Sequence, residues 1–195
     1  MFIKTLPVLT GLTVAEGESN AGGLNRLRLI PAELLTVELP DPIHEFGLDD
    51  LFIDSRSIYL NDDVDFVDME LIPDYASYSE DVGSNDNGGL YNCSIQIVIP
   101  KDRPDVTAWI HRNREKRWVA LIRDRNGFVR MVGTDEQPLT LDVKNTLGNK
   151  TGRNGRTMAF SASTLMPALY LDSIESQDLF GVYEFDFSFS YDFNT

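Results

Sequence analysis

Cysteine and histidine, the side chains that most often build metal sites and nucleophilic centres, are scarce in this chain. A single cysteine, Cys93, excludes an intramolecular disulfide and a cysteine metal cluster. Because it lies in the apolar stretch that continues to Ile97, we expect a buried small hydrophobic residue rather than a reactive thiol. The two histidines, His44 and His111, neighbour no nucleophile motif, and two histidines alone give no usual zinc site.

The chain also lacks a long apolar run. The stretch 5–15 is partly apolar, but proline, glycine and threonine interrupt it, and it is far too short to span a bilayer. We therefore expect no transmembrane segment and no membrane partner. With 42% hydrophobic residues, however, the 195-residue chain can bury a sizeable core. This length and composition predict one β-rich domain over residues 1–195, with an extended N-terminal segment and long loops.

Basic residues are few, and they are unevenly distributed. The formal net charge of −14 argues against a nucleic-acid backbone as the partner of the whole surface, and we expect no sequence-specific nucleic-acid binding. Fifteen acidic residues lie between Glu38 and Asp86 against one basic residue, whereas thirteen basic and seven acidic residues lie between Lys101 and Arg156. Three interpretations stay open: acidic loops for solubility, oppositely charged faces for head-to-tail contacts between copies, and an acidic surface that lets DNA pass without sticking.

Alternation of apolar and polar residues predicts strands through most of the chain. The predicted strands are Arg26–Ile30, Thr36–Leu39, Ser57–Leu60, Asp63–Ile72 with a bulge at Phe66–Val67, Tyr91–Ile99, Thr140–Val143 and Thr157–Ser161. Helix is predicted only for Pro104–Arg114, where proline suits the first turn, and for a single turn at Leu48–Phe52. The fold class that follows is mainly β, an antiparallel β-sandwich or barrel with one short helix.

A β-hairpin is the strongest local prediction. Two apolar runs, Trp118–Ile122 and Phe128–Val132, flank the sequence Asp124-Arg125-Asn126-Gly127. Asn-Gly accommodates the positive φ angles of a tight primed turn, so we expect this turn type.

The C-terminal run alternates aromatic residues with acids and serines. Phe187, Phe189 and Tyr191 belong to an aromatic face, and the opposite face is wholly polar. Two interpretations are open: the strand covers the core of its own domain, or it pairs with a neighbouring subunit, since a bare edge with such a face would aggregate.

Motifs for chemistry are incomplete throughout. Residues 81–89 do not match the calcium-binding loop of helix–loop–helix proteins, since aligning its glycine with Gly88 leaves no glutamate at the last position. The carboxylates at Asp62–Asp68 offer no complete cation-ligand pattern, and residues 152–156 lack the Gly-Lys-Ser/Thr ending of a phosphate loop. We therefore predict no catalytic residue, no metal site and no cofactor, and a protein that is not an enzyme.

Two segments resemble virion proteins of tailed bacteriophages. They are RWVALIRDRNGFVRMVG (117–133) and, after a glycine-rich loop, GRTMAFSASTLMPALYLD (155–172). They are similar to small β-rich subunits that form rings or tubes in the tail or at its junction with the head. The resemblance covers residues 117–172, under a third of the chain. It implies a β-sandwich or barrel that oligomerises around a central axis, with loops and arms that contact adjacent rings.

We therefore expect a structural virion component that self-assembles head to tail in the bacterial host cytoplasm and contacts other virion proteins. The predicted assembly contacts combine bases of the stretch 101–156 with C-terminal aromatic residues: Arg112, Arg123, Arg125, Arg153, Arg156, Phe187, Phe189 and Tyr191. The alternative is a binding module, a β-sandwich that recognises a carbohydrate or a host receptor through Trp109 or Trp118 and loop carboxylates.

Overall fold

Strands make up most of the described chain, as the sequence predicts. The structure is a computed structural model that describes residues 21–39, 49–61, 66–85, 88–101, 103–146 and 155–174. These residues form eleven strands and one α-helix, arranged in three antiparallel sheets. The elements are β1 (Leu24–Pro31), β2 (Leu35–Val37), β3 (Ile58–Leu60), β4 (Val67–Glu70), β5 (Ala76–Asn85), β6 (Gly88–Pro100), α1 (Pro104–Asn113), β7 (Trp118–Asp124), β8 (Val129–Val132), β9 (Thr140–Thr146), β10 (Gly155–Thr164) and β11 (Leu169–Leu171).

The three sheets stack as layers. The central sheet has the strand order β11-β8-β7-β1-β4, the outer sheet has the order β5-β6-β10-β9, and the small sheet consists of β2 and β3. One hydrophobic core lies between the central and outer sheets, and a second lies between the central and small sheets. The predicted sandwich is therefore confirmed, and its barrel alternative is wrong because the sheets do not close on one another.

Strand β7 shows why the central sheet can serve both cores. Its residues 118–122 are all buried. Trp118, Ala120 and Ile122 belong to the core under the outer sheet, whereas Val119 and Leu121 belong to the core under the small sheet. A continuous apolar run is the pattern expected for a strand that is covered on both faces.

The outer sheet follows the simpler, alternating pattern. In β6, Cys93, Ile95 and Ile97 point into the core, which confirms the predicted burial of the cysteine. Ten residue pairs join β6 to β10, and another ten join it to β5. Strand β6 therefore pairs with a strand on each side over most of its length.

Helix α1 also follows its prediction. Proline occupies its first turn, Val106 is buried, and Trp109 and Ile110 pack against the core under the outer sheet. The single turn predicted near Phe52 is a short 3₁₀ helix at Asp49–Leu51. None of the helices among the described residues has the length and apolar character that crossing a bilayer requires.

The β7–β8 hairpin is confirmed, but its predicted turn type is wrong. Gly127 has a φ of 88°. Among the described residues, Lys101 is the only one other than glycine with a positive φ. Asn126 therefore lacks the positive φ that a primed turn requires. The Gly127 N–H donates to the Asp124 carbonyl, and the Asp124 N–H donates to the Phe128 carbonyl. These bonds are those of a three-residue loop in which glycine takes the left-handed position after an ordinary turn.

One predicted strand is found only in part among the described residues, and two observed strands were not predicted. Strand β4 begins only at Val67, and residues 62–65, where the predicted strand began, lie outside the described residues. Strands β5 and β11 were not predicted, because β5 is polar at alternate positions and rich in Gly, Ser and Asn towards its end, and β11 has three residues.

Candidate assembly interface

A two-stranded arm projects from the outer sheet. Strand β10 pairs with β6 as far as Tyr91, where Val82 of β5 is the partner on the other side. Beyond this point β5 and β6 continue for three residue pairs, from Gly83–Leu90 to Asn85–Gly88, with no third strand among the described residues. We call residues 82–91 the arm. The Val82 side chain is 66% exposed, and an isolated two-stranded ribbon is at best marginally stable in water.

The root of the arm is fastened to the central sheet by Glu80. Its carboxylate accepts hydrogen bonds from the Tyr78 hydroxyl at 2.6 Å and from the Ala168 backbone N–H at 2.9 Å. Ala168 directly precedes β11, so this carboxylate joins an edge strand of the outer sheet to an edge strand of the central sheet. Burial, assisted by the bond to Glu80, raises the pKa of Tyr78 far above its usual value, so the hydroxyl stays a donor at any physiological pH.

Cys93 lies next to Glu80. Its sulfur is 3.6 Å from the Glu80 carboxylate and 4.0 Å from the Thr164 hydroxyl. Burial raises the pKa of the Cys93 thiol, so the thiolate that reactive cysteines need is disfavoured. The geometry agrees with a packing role for this residue.

The structure brings together only part of the predicted set of assembly arginines. Arg125 is exposed at the tip of the β7–β8 turn, and Arg123 is half-buried and donates to the Asn25 side chain at 3.2 Å. Arg112 is exposed on α1, which precedes β7 at the end opposite to the turn. A seven-residue strand is about 23 Å long, and this length separates the two ends. Arg156 is buried in β10, with 9% of its surface exposed, so it offers no open contact surface. The remaining predicted contacts, Arg153, Phe187, Phe189 and Tyr191, lie outside the described residues.

An exposed aromatic corner beside the β7–β8 turn was missed by the sequence reasoning. Its rings are those of Phe52, Phe128 and Tyr170, with centroid distances of 5.6 Å for Phe52–Tyr170 and 6.0 Å for Phe128–Tyr170. The Arg130 guanidinium lies 4.9 Å from the Tyr170 ring centroid. Phe128 belongs to the apolar run of the predicted hairpin, and only its place next to the turn indicates its exposure.

The tryptophans proposed as a sugar platform do not form one. Trp118 is 1% exposed, and Trp109 is stacked on it at a centroid distance of 6.1 Å and packs against the core. The binding-module alternative therefore loses Trp118 as a contact residue and keeps the half-buried Trp109 and the loop carboxylates.

Of the acidic residues in the stretch Asp62–Asp68, Asp68 is the one that lies among the described residues. The Asp68 carboxylate accepts hydrogen bonds from Arg26 at 2.6 Å and from Arg28 at 2.7 Å. Burial alone would raise the pKa of Asp68, but the two guanidinium bonds outweigh burial and lower it. In the part of the chain that the structure describes, no group of three or more His, Cys, Asp or Glu side chains could hold a metal ion.

Two open grooves flank α1 in the described part of the chain. One is lined by Arg103, Pro104, Thr107, Ala108 and His111, a set without a carboxylate. A second contains Arg112, Lys116 and Arg117 together with Glu33, Glu115 and Asp135. This mixture of charges suits contact with another protein surface better than with a polyphosphate.

The fold and the projecting arm thus define a three-layer β-sandwich with an exposed two-stranded extension. No protein-family model, curated protein or solved structure matches this chain with significance.

Proposed function

We propose that this chain is a structural subunit of a bacteriophage tail or of the junction between tail and head. In this proposal, copies associate head to tail into rings or a tube inside the bacterial host and then remain in the virion beside other virion proteins. Burial of exposed apolar surface drives the association, and charge complementarity selects its orientation.

The main support for the proposal is that the arm is exposed. Its last three strand pairs are covered by no third described strand, and Val82 at its root is 66% exposed. Exposed strand edges of this kind are usually shortened, charged or covered in proteins that remain monomeric. An arm that is fastened at its root by Glu80 and uncovered beyond it suits a contact with a neighbouring copy.

The distribution of charge adds support. From Tyr78 to Pro100, the two strands that form the arm carry two acidic residues, Glu80 and Asp81, and no basic one. The β7–β8 hairpin and α1 carry exposed arginines, including the predicted contacts Arg112 and Arg125. The resemblance of residues 117–172 to phage tail subunits names the kind of particle in which such an assembly would occur.

Electron microscopy of the purified chain tests the proposal. We expect rings or short tubes of constant diameter, and a mass in solution that is a multiple of 22.0 kDa. In a test variant, a two-residue turn replaces residues 83–90. Its circular dichroism spectrum should be unchanged, because the strand pairs that lie inside the sheet are retained. It should remain monomeric, because the arm is removed. A wild-type chain that stays monomeric at every concentration would overturn the proposal of self-assembly. Mass spectrometry of purified phage particles that carry the gene tests its presence in the virion.

A further inference from the structure

Strand β9 is an edge strand of the outer sheet with one open side. Strand β10 pairs with it from Thr140 to Thr146, and no described strand lies on its other side. This open edge begins after Leu139, whose backbone N–H and carbonyl pair with Trp118. Its seven residues extend over about 23 Å, and a free strand edge of this length is a template for pairing with another strand.

The charged side chains of β9 lie on the outer face of the sheet. Val143 packs at the margin of the core under the outer sheet, whereas its neighbours in the strand, Asp142 and Lys144, are exposed. Asp142 pairs across the sheet with Ala159 of β10. Lys144 pairs with Thr157, so neither charge meets an opposite charge on the neighbouring strand.

The sequence of β9 is complementary to itself in an antiparallel arrangement. When two copies of the strand pair about a two-fold axis at Val143, each Val143 lies opposite the other on the core side. Asp142 of each copy then lies opposite Lys144 of the second copy, so the axis produces two pairs of opposite charge. An axis at Asp142 or at Lys144 would instead oppose two like charges. Because opposed charges of opposite sign stabilise an antiparallel pair and like charges destabilise it, the charges select the register at Val143.

The other described edge strands of four or more residues lack this complementarity. Strand β5 carries Glu80 and Asp81 without a basic residue, and β4 carries Asp68 and Glu70 without one. Neither strand can form a pair of opposite charges with its own copy. The charges of β9 therefore favour a second copy of β9 as the occupant of its open edge.

We infer that β9 pairs with β9 of a second copy, antiparallel about Val143, and joins the four-stranded outer sheets of two copies into one continuous sheet. The contact is isologous and closes at two copies, so it differs from the proposed head-to-tail contact and does not rest on it. An edge of seven residues buries less surface than a standard interface, which makes the contact weak between isolated copies. A variant without the arm should therefore stay monomeric in dilute solution, and a covalent trap is the appropriate way to detect the pairing.

A cysteine at the two-fold axis traps the pair. In Val143→Cys the two new thiols face each other across the paired edges, where Cα–Cα distances of about 4.5–5.5 Å suit a disulfide. Val98→Cys is the matched control, because Val98 is a partly exposed residue of the same sheet on β6, which has a strand on each side. Under mild oxidation, the covalent dimer of Val143→Cys should form at least about tenfold faster than that of the control. The wild type, whose Cys93 is buried, should not cross-link.

Cysteines beside the axis test the register. In Asp142→Cys or Lys144→Cys alone, the thiols of two paired copies occupy diagonal positions about 7–8 Å apart, which is too far for a disulfide. In an equimolar mixture of these variants the two cysteines lie directly opposite each other, and the retained Lys144 and Asp142 still pair. We therefore expect a covalent heterodimer from the mixture and little dimer from either variant alone.

Charge reversal in the Val143→Cys background tests the selection by charge. Lys144→Asp opposes acids on both sides of the axis and should slow dimer formation about tenfold, whereas adding Asp142→Lys exchanges the signs and should restore the rate. Equal cross-linking of Val143→Cys and Val98→Cys, or an exchange that fails to restore the rate, would overturn the inference and leave the head-to-tail assembly standing. A chain that forms the Val143→Cys dimer but never rings or tubes would support the inference and contradict the proposed function.

Discussion

Asp68 is shared by two arginines of β1. Arg26 and Arg28 both donate to its carboxylate, and Arg28 also donates to the Ile174 carbonyl at 3.0 Å and lies 4.4 Å from the centre of the Phe66 ring. The Arg28 side chain is almost wholly buried. A buried cation needs such partners because the loss of hydration is costly, so Asp68 stabilises the edge of the central sheet chiefly by compensating Arg28.

Replacing Asp68 by asparagine should destabilise the fold in a pH-dependent way. At pH 7 we expect a loss of about 2 kcal/mol, the range for hydrogen bonds to charged groups. Because the folded-state pKa of Asp68 lies below the usual 3.8, its stabilising contribution is fully present above that pH and is lost as the pH falls through the folded value. The difference in urea unfolding free energy between wild type and Asp68→Asn should therefore shrink below about pH 4.

Asp74→Asn is the control for this measurement, since Asp74 is exposed in a 3₁₀ turn. Its effect should stay within about 0.5 kcal/mol, as for most surface substitutions. An equal cost of Asp68→Asn at pH 7 and pH 3 would show that the lost contribution comes from packing rather than from the ionised carboxylate.

Two glycines of the central sheet's connections adopt backbone conformations that other residues avoid. Gly127 in the β7–β8 turn has a φ of 88°, with nothing within 4 Å of the position where a Cβ would lie. Gly133, after β8, has a φ of 77°, and its Cβ would lie 3.2 Å from the Gln137 carbonyl oxygen and 3.3 Å from the Leu139 side chain. The first position is restricted by the backbone alone, and the second by the backbone and by space.

Alanine substitutions should separate these two causes. Gly127→Ala should cost about 1 kcal/mol from the left-handed conformation. Gly133→Ala should cost more, because a neighbour must also move. Gly22→Ala is the control, with open space and no positive φ, and should be nearly neutral. Thermal unfolding of the three variants measures the order, and a Gly127→Ala loss as large as that of Gly133→Ala would contradict it.

The local sequence pattern was sufficient to predict the elements in which buried residues recur at a fixed spacing or follow one another without a break. Strand β6 alternates, β7 is an unbroken apolar run, and α1 has its apolar residues on one side, so each was predictable. Strand β5 was not, because its sequence ASYSEDVGSN is polar and rich in turn-forming residues. It is a strand because ten residue pairs join it to β6, which is a tertiary cause that overrides local preference.

The aromatic corner could not be predicted for a different reason. Phe52, Phe128 and Tyr170 come from three separate stretches of the chain, and they meet because β11 pairs with β8 and because Phe52 forms an isolated bridge with Tyr170. Pairings between strands that are distant in sequence leave no local signal. The layered order of the sheets, with β7 covered on both faces, is likewise a result of these long-range pairings.

The two cores should unfold in a single transition because they share the central sheet. Leu121 and Ile122 are neighbours in β7, each 1% exposed, but Leu121 faces the core under the small sheet and Ile122 the core under the outer sheet. Leu121→Ala and Ile122→Ala should each cost about 2–5 kcal/mol, the range for truncating a buried aliphatic side chain. Val98→Ala, on the partly exposed face of β6, serves as the control and should cost far less.

Two probes of urea unfolding decide whether the described layers form one cooperative unit. Tryptophan fluorescence, from Trp109 and Trp118, reports the core under the outer sheet, and far-UV circular dichroism reports all three sheets. If the predicted single domain is correct, both probes should give one transition in every variant, and Leu121→Ala should shift the tryptophan transition although its side chain lies in the other core. A Leu121→Ala variant that leaves the tryptophan transition in place would show two independent folding units, because the central sheet would then not transmit the loss from one face to the other.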